Sequence, residues 1–170
     1  LTVTVTIDGA TLNLSGRLSG AGPVTYGGPG IKRLNGTINN TVSGLSSVAD
    51  GFLVLDSTAA ASIAGPLLIN SGATAKLLSA PDILNTVVVT VDGIFDLAEA
   101  TGNDGIDTET IGGLHGDDVS ARVLLGTRTL GDGVLQHLAE PIEVARVDHA
   151  REVGRLVARV IAGAIHRADR

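Results

Sequence analysis

Five glycines, Gly9, Gly30, Gly51, Gly72 and Gly93, recur at one constant interval without a break. A unit of that length is too small to bury a core by itself, so the repeat implies a chain that coils and stacks each coil on the last. Most of these glycines follow a turn-forming residue: Asp8, Asp50, Ser71 and Asp92. Such corners accept positive φ at low cost, and a stack has to make the same corner at the same place in every coil.

The apolar residues keep time with the glycines. Leu1 to Ile7 alternates apolar and hydroxylated residues, the period-two mark of a strand with one buried face, and the pattern returns at Val87–Val91 before Asp92-Gly93. After each glycine comes a first block: Leu12 and Leu14, Ile31 and Leu34, Leu53 and Leu55, Ala75 and Leu77, Phe95 and Leu97. About fifteen positions on comes a second: Val24 and Tyr26, Leu45 and Val48, Leu67 and Ile69, Val87 and Val89, then Ile111. Two short strands per unit predict an all-β solenoid, with each strand pairing in parallel to its equivalent one coil away, about 4.8 Å distant. Leu55, Leu77 and Leu97 are then expected in one interior stack.

Composition agrees with thin, regular layers. Among 170 residues there are two Phe, one Tyr and no Trp, so the core is built from Val, Leu, Ile and Ala. There is no Cys, which removes disulfides, thiolate metal sites and a Cys nucleophile. Residues 1–140 carry 14 acidic and 6 basic side chains, and an acidic body of this kind argues against nucleic acid as a partner. No run of 18 apolar residues occurs. Because the first residues already lie within a strand pattern, the chain reads as a piece of a longer protein whose export signal lies elsewhere.

The period weakens after Gly93, with a polar excursion at 98–109 before Thr110-Ile111-Gly112-Gly113-Leu114 resumes it. From about residue 132 the spacing changes. Val153, Leu156, Val157, Val160, Ile161, Ala164 and Ile165 follow a helical stripe, and Pro141 sits near a first turn, so an amphipathic helix is expected over about 142–167. The division is therefore 1–131 for the coils and 132–170 for a linker and helical tail. Three roles are open to the tail: covering the end of the stack, binding a membrane surface or partner through its basic face, or remaining apart from the body.

Asn70-Ser71-Gly72-Ala73-Thr74, Val87 to Leu97, and Glu109-Thr110-Ile111-Gly112-Gly113-Leu114-His115-Gly116 together resemble the autotransporter-associated β-strand repeat, also called the passenger-associated transport repeat. Val123 to Leu130 resembles the strand pair that follows in that family, and Gly51–Leu55 with Ile63–Leu67 an earlier unit. The resemblance implies a right-handed parallel β-helix in the exported passenger of a bacterial surface protein, with an outer-membrane β-barrel translocator as partner. It brings no catalytic residues. Displaying or supporting adhesion at the cell surface, toward a host or cell-surface ligand or by self-association, is the corresponding role. The long loop at 98–109 and the Arg-rich tail depart from the family pattern.

Residues that could carry chemistry are few. Glu99, Asp104, Asp107, Glu109, Asp117 and Asp118 form an acidic stretch without Lys or Arg, a possible calcium surface or a solvated loop, but without EF-hand or Gly-Gly-x-Gly-x-Asp order. Asp56, Asp96 and Glu99 lie near strand ends, where a polysaccharide hydrolase or lyase would place paired carboxylates; such sites commonly add aromatic platforms, which this chain lacks. His115, His137, His149 and His166 are scattered, and an exposed position is expected for each. Gly20-Ala21-Gly22 and Gly27-Gly28-Pro29-Gly30 read as coil corners and not as phosphate loops. Thus no catalytic, cofactor or metal residues are assigned, and a structural module is favoured over a carbohydrate-active enzyme.

Overall fold

Parallel strands cannot be joined by a two-residue hairpin, and the chain meets that constraint by going round. The computed structural model describes residues 1–58, 61–98, 101–102, 109–116, 118–125, 143–145 and 157–159. They form a β-solenoid of about five turns with strands about 22 residues apart. One six-stranded sheet stacks Thr2–Thr4, Val24–Gly27, Ser46–Val48, Leu67–Ile69, Val88–Val91 and Gly113–His115, every neighbouring pair parallel. A second, eight-stranded sheet begins with Thr11–Leu14, Ile31–Leu34, Phe52–Leu55, Thr74–Leu77, Ile94–Asp96 and Arg122–Leu124, again all parallel.

A third side closes each coil, an addition to the two strands per unit that the sequence predicts. It is pinned only by two-residue ladders, Ser19–Gly20 with Thr41–Val42 and Ser79–Ala80 with Thr101–Gly102, and by a parallel bridge from Ile63 to Ile83.

All five regularly spaced glycines lie at one corner, between a strand of the first sheet and the next strand of the second. Their even spacing nevertheless conceals two positions. The strand partners Thr11–Ile31, Ile31–Phe52, Phe52–Thr74 and Thr74–Ile94 are unevenly separated along the chain, so Gly30, Gly51 and Gly93 immediately precede their strands while Gly9 and Gly72 stand one place earlier. At Gly72 the cause is the turn itself: φ is 82°, Ala73 N–H donates to Asn70 O at 3.0 Å, and a Cβ would meet nothing. At Gly93 φ is not the reason. A Cβ there would collide with the carbonyl oxygens of Asn70 and Ala73 in the coil before.

The interior is filled by columns that run along the stack. Leu34, Leu55 and Leu77 are fully buried and successive in register, and continuing that register brings partly buried Leu97 onto Leu77, giving the expected stack. Val48, Ile69 and Val91 line the opposite wall, with Ile63 and Ile83 closing the third side. Each fully buried aliphatic side chain contributes about 2 kcal/mol of hydrophobic stabilisation.

Strand alternation corrects two of the sequence pairings. Residues three apart cannot share a strand face. Of Ile31 and Leu34 only Leu34 is buried, and of Leu45 and Val48 only Val48, Leu45 being 42% exposed. Lys32 and Ser46 take the inward places instead.

The tail also differs from expectation. Within the span assigned to an amphipathic helix, Glu143–Ala145 and Val157–Arg159 are strands; the other residues of that span lie outside the described ones. Glu143–Ala145 pairs in parallel with Arg122–Leu124, and Val157–Arg159 pairs antiparallel with it. An open edge strand presents a row of unpaired N–H and C=O groups, and adding strands there satisfies them, which tertiary context can impose over local helical periodicity. His137, His149 and His166 lie outside the described residues.

Candidate functional site

Lys32 shows how the phase of a strand places chemistry. The side chain falls in the inward column between Leu12 and Leu53 and has no exposed surface. Its Nζ donates to Gly28 O at 2.7 Å, Gly30 O at 2.9 Å and Asp50 O at 2.9 Å, one carbonyl for each of its three protons. Burial pushes the ammonium below its usual range, and the Asp50 carboxylate opposes that shift. The three carbonyls belong to the corner loops 28–30 and 50, so the lysine ties two consecutive corners from within. Ser46, the other unexpected inward residue, bonds through its side chain to the buried Tyr26 hydroxyl; burial pushes Tyr26 up to about 12, and the Ser46 bond works against it.

The third side carries a polar ladder along the stack. Asn40 accepts from Leu18 N–H at 2.8 Å and donates through Nδ2 to Ser62 O at 3.0 Å. Ser62 Oγ donates to Asp82 Oδ1 at 2.8 Å, and Asp82 N–H donates to Glu109 Oε2 at 2.9 Å. Ser57 Oγ donates to Gly36 O at 2.8 Å beside this line. Every rung joins one coil to the next, and Asn40, Ser57, Ser62 and Asp82 are all buried. Asn40, Ser62 and Asp82 follow one another one coil apart, so the signal was in the sequence, at the coil period but off the glycine column.

The carboxylates nominated from sequence are placed separately. Asp56 is paired with Arg33, whose Nε donates to Oδ2 at 2.8 Å, and it accepts from Ser79 Oγ at 3.2 Å. Asp96 lies on the outer face of the second sheet, 3.9 Å from Lys76 Nζ, and accepts from Ala98 N–H at 3.0 Å. Both thus have a cationic neighbour. Glu109 spans the backbone N–H groups of Asp82 and Ile83. Asp118 accepts from Ser120 N–H and Oγ, both at 2.8 Å; with the Ser71 hydroxyl these bonds hold its carboxyl below the usual range. Glu99, Asp104, Asp107 and Asp117 lie outside the described residues. His115 is exposed at the end of a strand. Among the described residues, no three His, Asp or Glu side chains are grouped to hold a metal.

A recess of about 380 Å³ opens at the first coil, lined by Leu1, Arg17, Leu18, Pro23, Val24 and Val42 with neighbouring backbone. Its only charged side chain, Arg17, donates to Thr41 Oγ1 at 3.1 Å, and the lining holds no carboxylate or imidazole side chain that would activate the Ser19 hydroxyl.

Apolar columns inside and polar rungs between coils define a parallel β-solenoid protein. Comparisons with family models, with curated proteins and with solved structures give no match for this chain.

Proposed function

We propose that this chain is a structural segment, a β-helical stalk or passenger of a surface-exposed or secreted bacterial autotransporter-like protein, which displays or supports adhesion. The observation that carries this reading is where the polar groups are used. Asn40, Ser57, Ser62 and Glu109 bond from coil to coil, and Lys32 binds corner carbonyls, so these side chains serve the stack and not an open cleft. The repeat resemblance at Asn70–Leu97 and Glu109–Gly116 supports an exported passenger, which would be connected through its parent chain to an outer-membrane β-barrel. The surface Thr, Ser and Asn residues are compatible with a host or cell-surface ligand or with lateral self-association.

A carbohydrate-active β-helix would need two convergent carboxylates, and Asp56 and Asp96 are each engaged with a cation. Two measurements separate the readings. Expressed within its parent chain, the segment should be labelled on intact cells by a membrane-impermeant reagent at an engineered Cys replacing Ser47. Purified, it should release no unsaturated or reducing ends from polygalacturonate or alginate. Labelling only after cell lysis would overturn the display reading, and turnover would replace it with the enzymatic one.

A further inference from the structure

Asp82 does more than a rung of the ladder requires. Its carboxyl has no exposed surface. One oxygen accepts the short bond from Ser62 Oγ, and the two oxygens share Ser57 N–H at 3.3 Å each. The groups that face it from neighbouring coils are Ser57 and Ser62 from the coil before, Asp56 next to Ser57, and Glu109 from the coil after. Arg33, the cation of this neighbourhood, is bonded to Asp56 and leaves 41% of its side chain exposed. An ionised Asp82 would therefore be a buried anion with one strong donor, set between two further carboxylates. A neutral Asp82 keeps the Ser62 contact and avoids both repulsions.

We propose that Asp82 is a proton-operated latch between coils: protonated, it closes the third side over Asp56–Ser57 and Ser62–Ile63, and loss of the proton loosens that side while the two sheets hold. This goes beyond the structural reading above, because it makes the tightness of the solenoid a function of pH. Burial pushes the Asp82 carboxyl from 3.8 up to about 7; the bonds from Ser62 and Ser57 pull it down, and Glu109 and Asp56 push it up. The folded value lies above the unfolded one, so the folded state binds more protons between the two. The contribution of the neutral form is complete below pH 4, falls as pH rises to about 7, and is constant above that. Within the window, each pH unit raises the unfolding equilibrium constant about tenfold.

The experiment uses the full chain. Urea unfolding of wild type and of Asp82→Asn, which fixes a neutral side chain, is compared at pH 5 and pH 7. The ratio of their unfolding constants should change about fiftyfold, wild type losing ground as pH rises. A pH-independent ratio would overturn the latch. In wild type alone, the carbon-13 shift of the Asp82 carboxyl should titrate with a midpoint near 7, and amide exchange at Ser57 and Ile83, corrected for the intrinsic pH effect, should accelerate above it. A midpoint near 4, or unchanged exchange at those two amides, overturns the proposal even if Asp82→Asn fails to fold.

Discussion

The two sheets and the third side solve one problem, holding coil to coil, by different means. In the sheets the backbone does it, through parallel ladders three or four residues long in each coil, and side chains need only be apolar and of suitable volume on the inward face. On the third side the ladders shrink to two residues or a single bridge, and named side chains take over: Asn40, Ser57, Ser62, Asp82 and Glu109. The sheets are therefore redundant and the third side is not. A sheet column tolerates Ala75 between Leu53 and Phe95, whereas the polar line needs a particular donor or acceptor at each rung.

The largest effect should come from breaking the redundancy with a charge. Leu77 is fully buried between Leu55 and Leu97, and Leu77→Asp would place a carboxylate inside that apolar column. A loss of more than about 4 kcal/mol in urea unfolding is expected, enough to abolish folding in a domain of ordinary stability. A change near zero would remove Leu77 from the core. Next comes the corner where the third side passes into the first sheet. A Cβ at Gly65 would collide with the carbonyl oxygen of Gly44 and lie 2.7 Å from that of Ser43, both backbone atoms of the coil before. Gly65→Ala should cost about 3 kcal/mol, and a melting temperature equal to wild type would show that the coils can separate locally to admit a methyl.

The contrast also explains how much could be read from sequence. Sheet columns repeat the same chemical type at a near-constant interval, so Leu55, Leu77 and Leu97 announce themselves, as does the corner glycine that separates the two sheets. Where a column changes type, the pattern misleads: Lys32 looks like a surface residue until strand alternation sets it on the face of Leu34. The third side is harder to read for a related reason. Asn40, Ser62 and Asp82 each resemble turn residues, and their common role appears only once coils of unequal length are distinguished from the even beat of the glycines. The tail marks the opposite limit, since a helical stripe at Val153–Ile165 did not prevent Val157–Arg159 from extending a sheet edge.

Asn40→Ala tests the non-redundant side without introducing a charge. It would leave Leu18 N–H without its side-chain acceptor and Ser62 O without its donor, and both losses fall between coils. About 2 kcal/mol of destabilisation is expected in chemical unfolding, with faster amide exchange at Leu18. An effect under about 0.5 kcal/mol would mean that water replaces both bonds and that the third side is more forgiving than its geometry suggests.

The smallest effect should come from the ion pair that joins the two regions on the outside. Arg33 leaves the second sheet to meet Asp56 at the start of the third side, yet 41% of its side chain and 22% of that of Asp56 remain exposed. Solvent screens a pair in that position, and Asp56 keeps Ser79 Oγ when the guanidinium is removed. Arg33→Ala should therefore cost less than about 1 kcal/mol, and the difference from wild type should shrink further in 0.5 M salt, where the screening length falls to roughly 4 Å. Its neighbour in the chain, Lys32, carries the same charge inside the coil with every proton engaged. A larger loss at Arg33, well beyond what a solvent-exposed pair supplies and insensitive to salt, would mean that the outer face at this junction is as residue-specific as the buried ladder. The division between backbone-held sheets and side-chain-held third side would then have to move outward to include it.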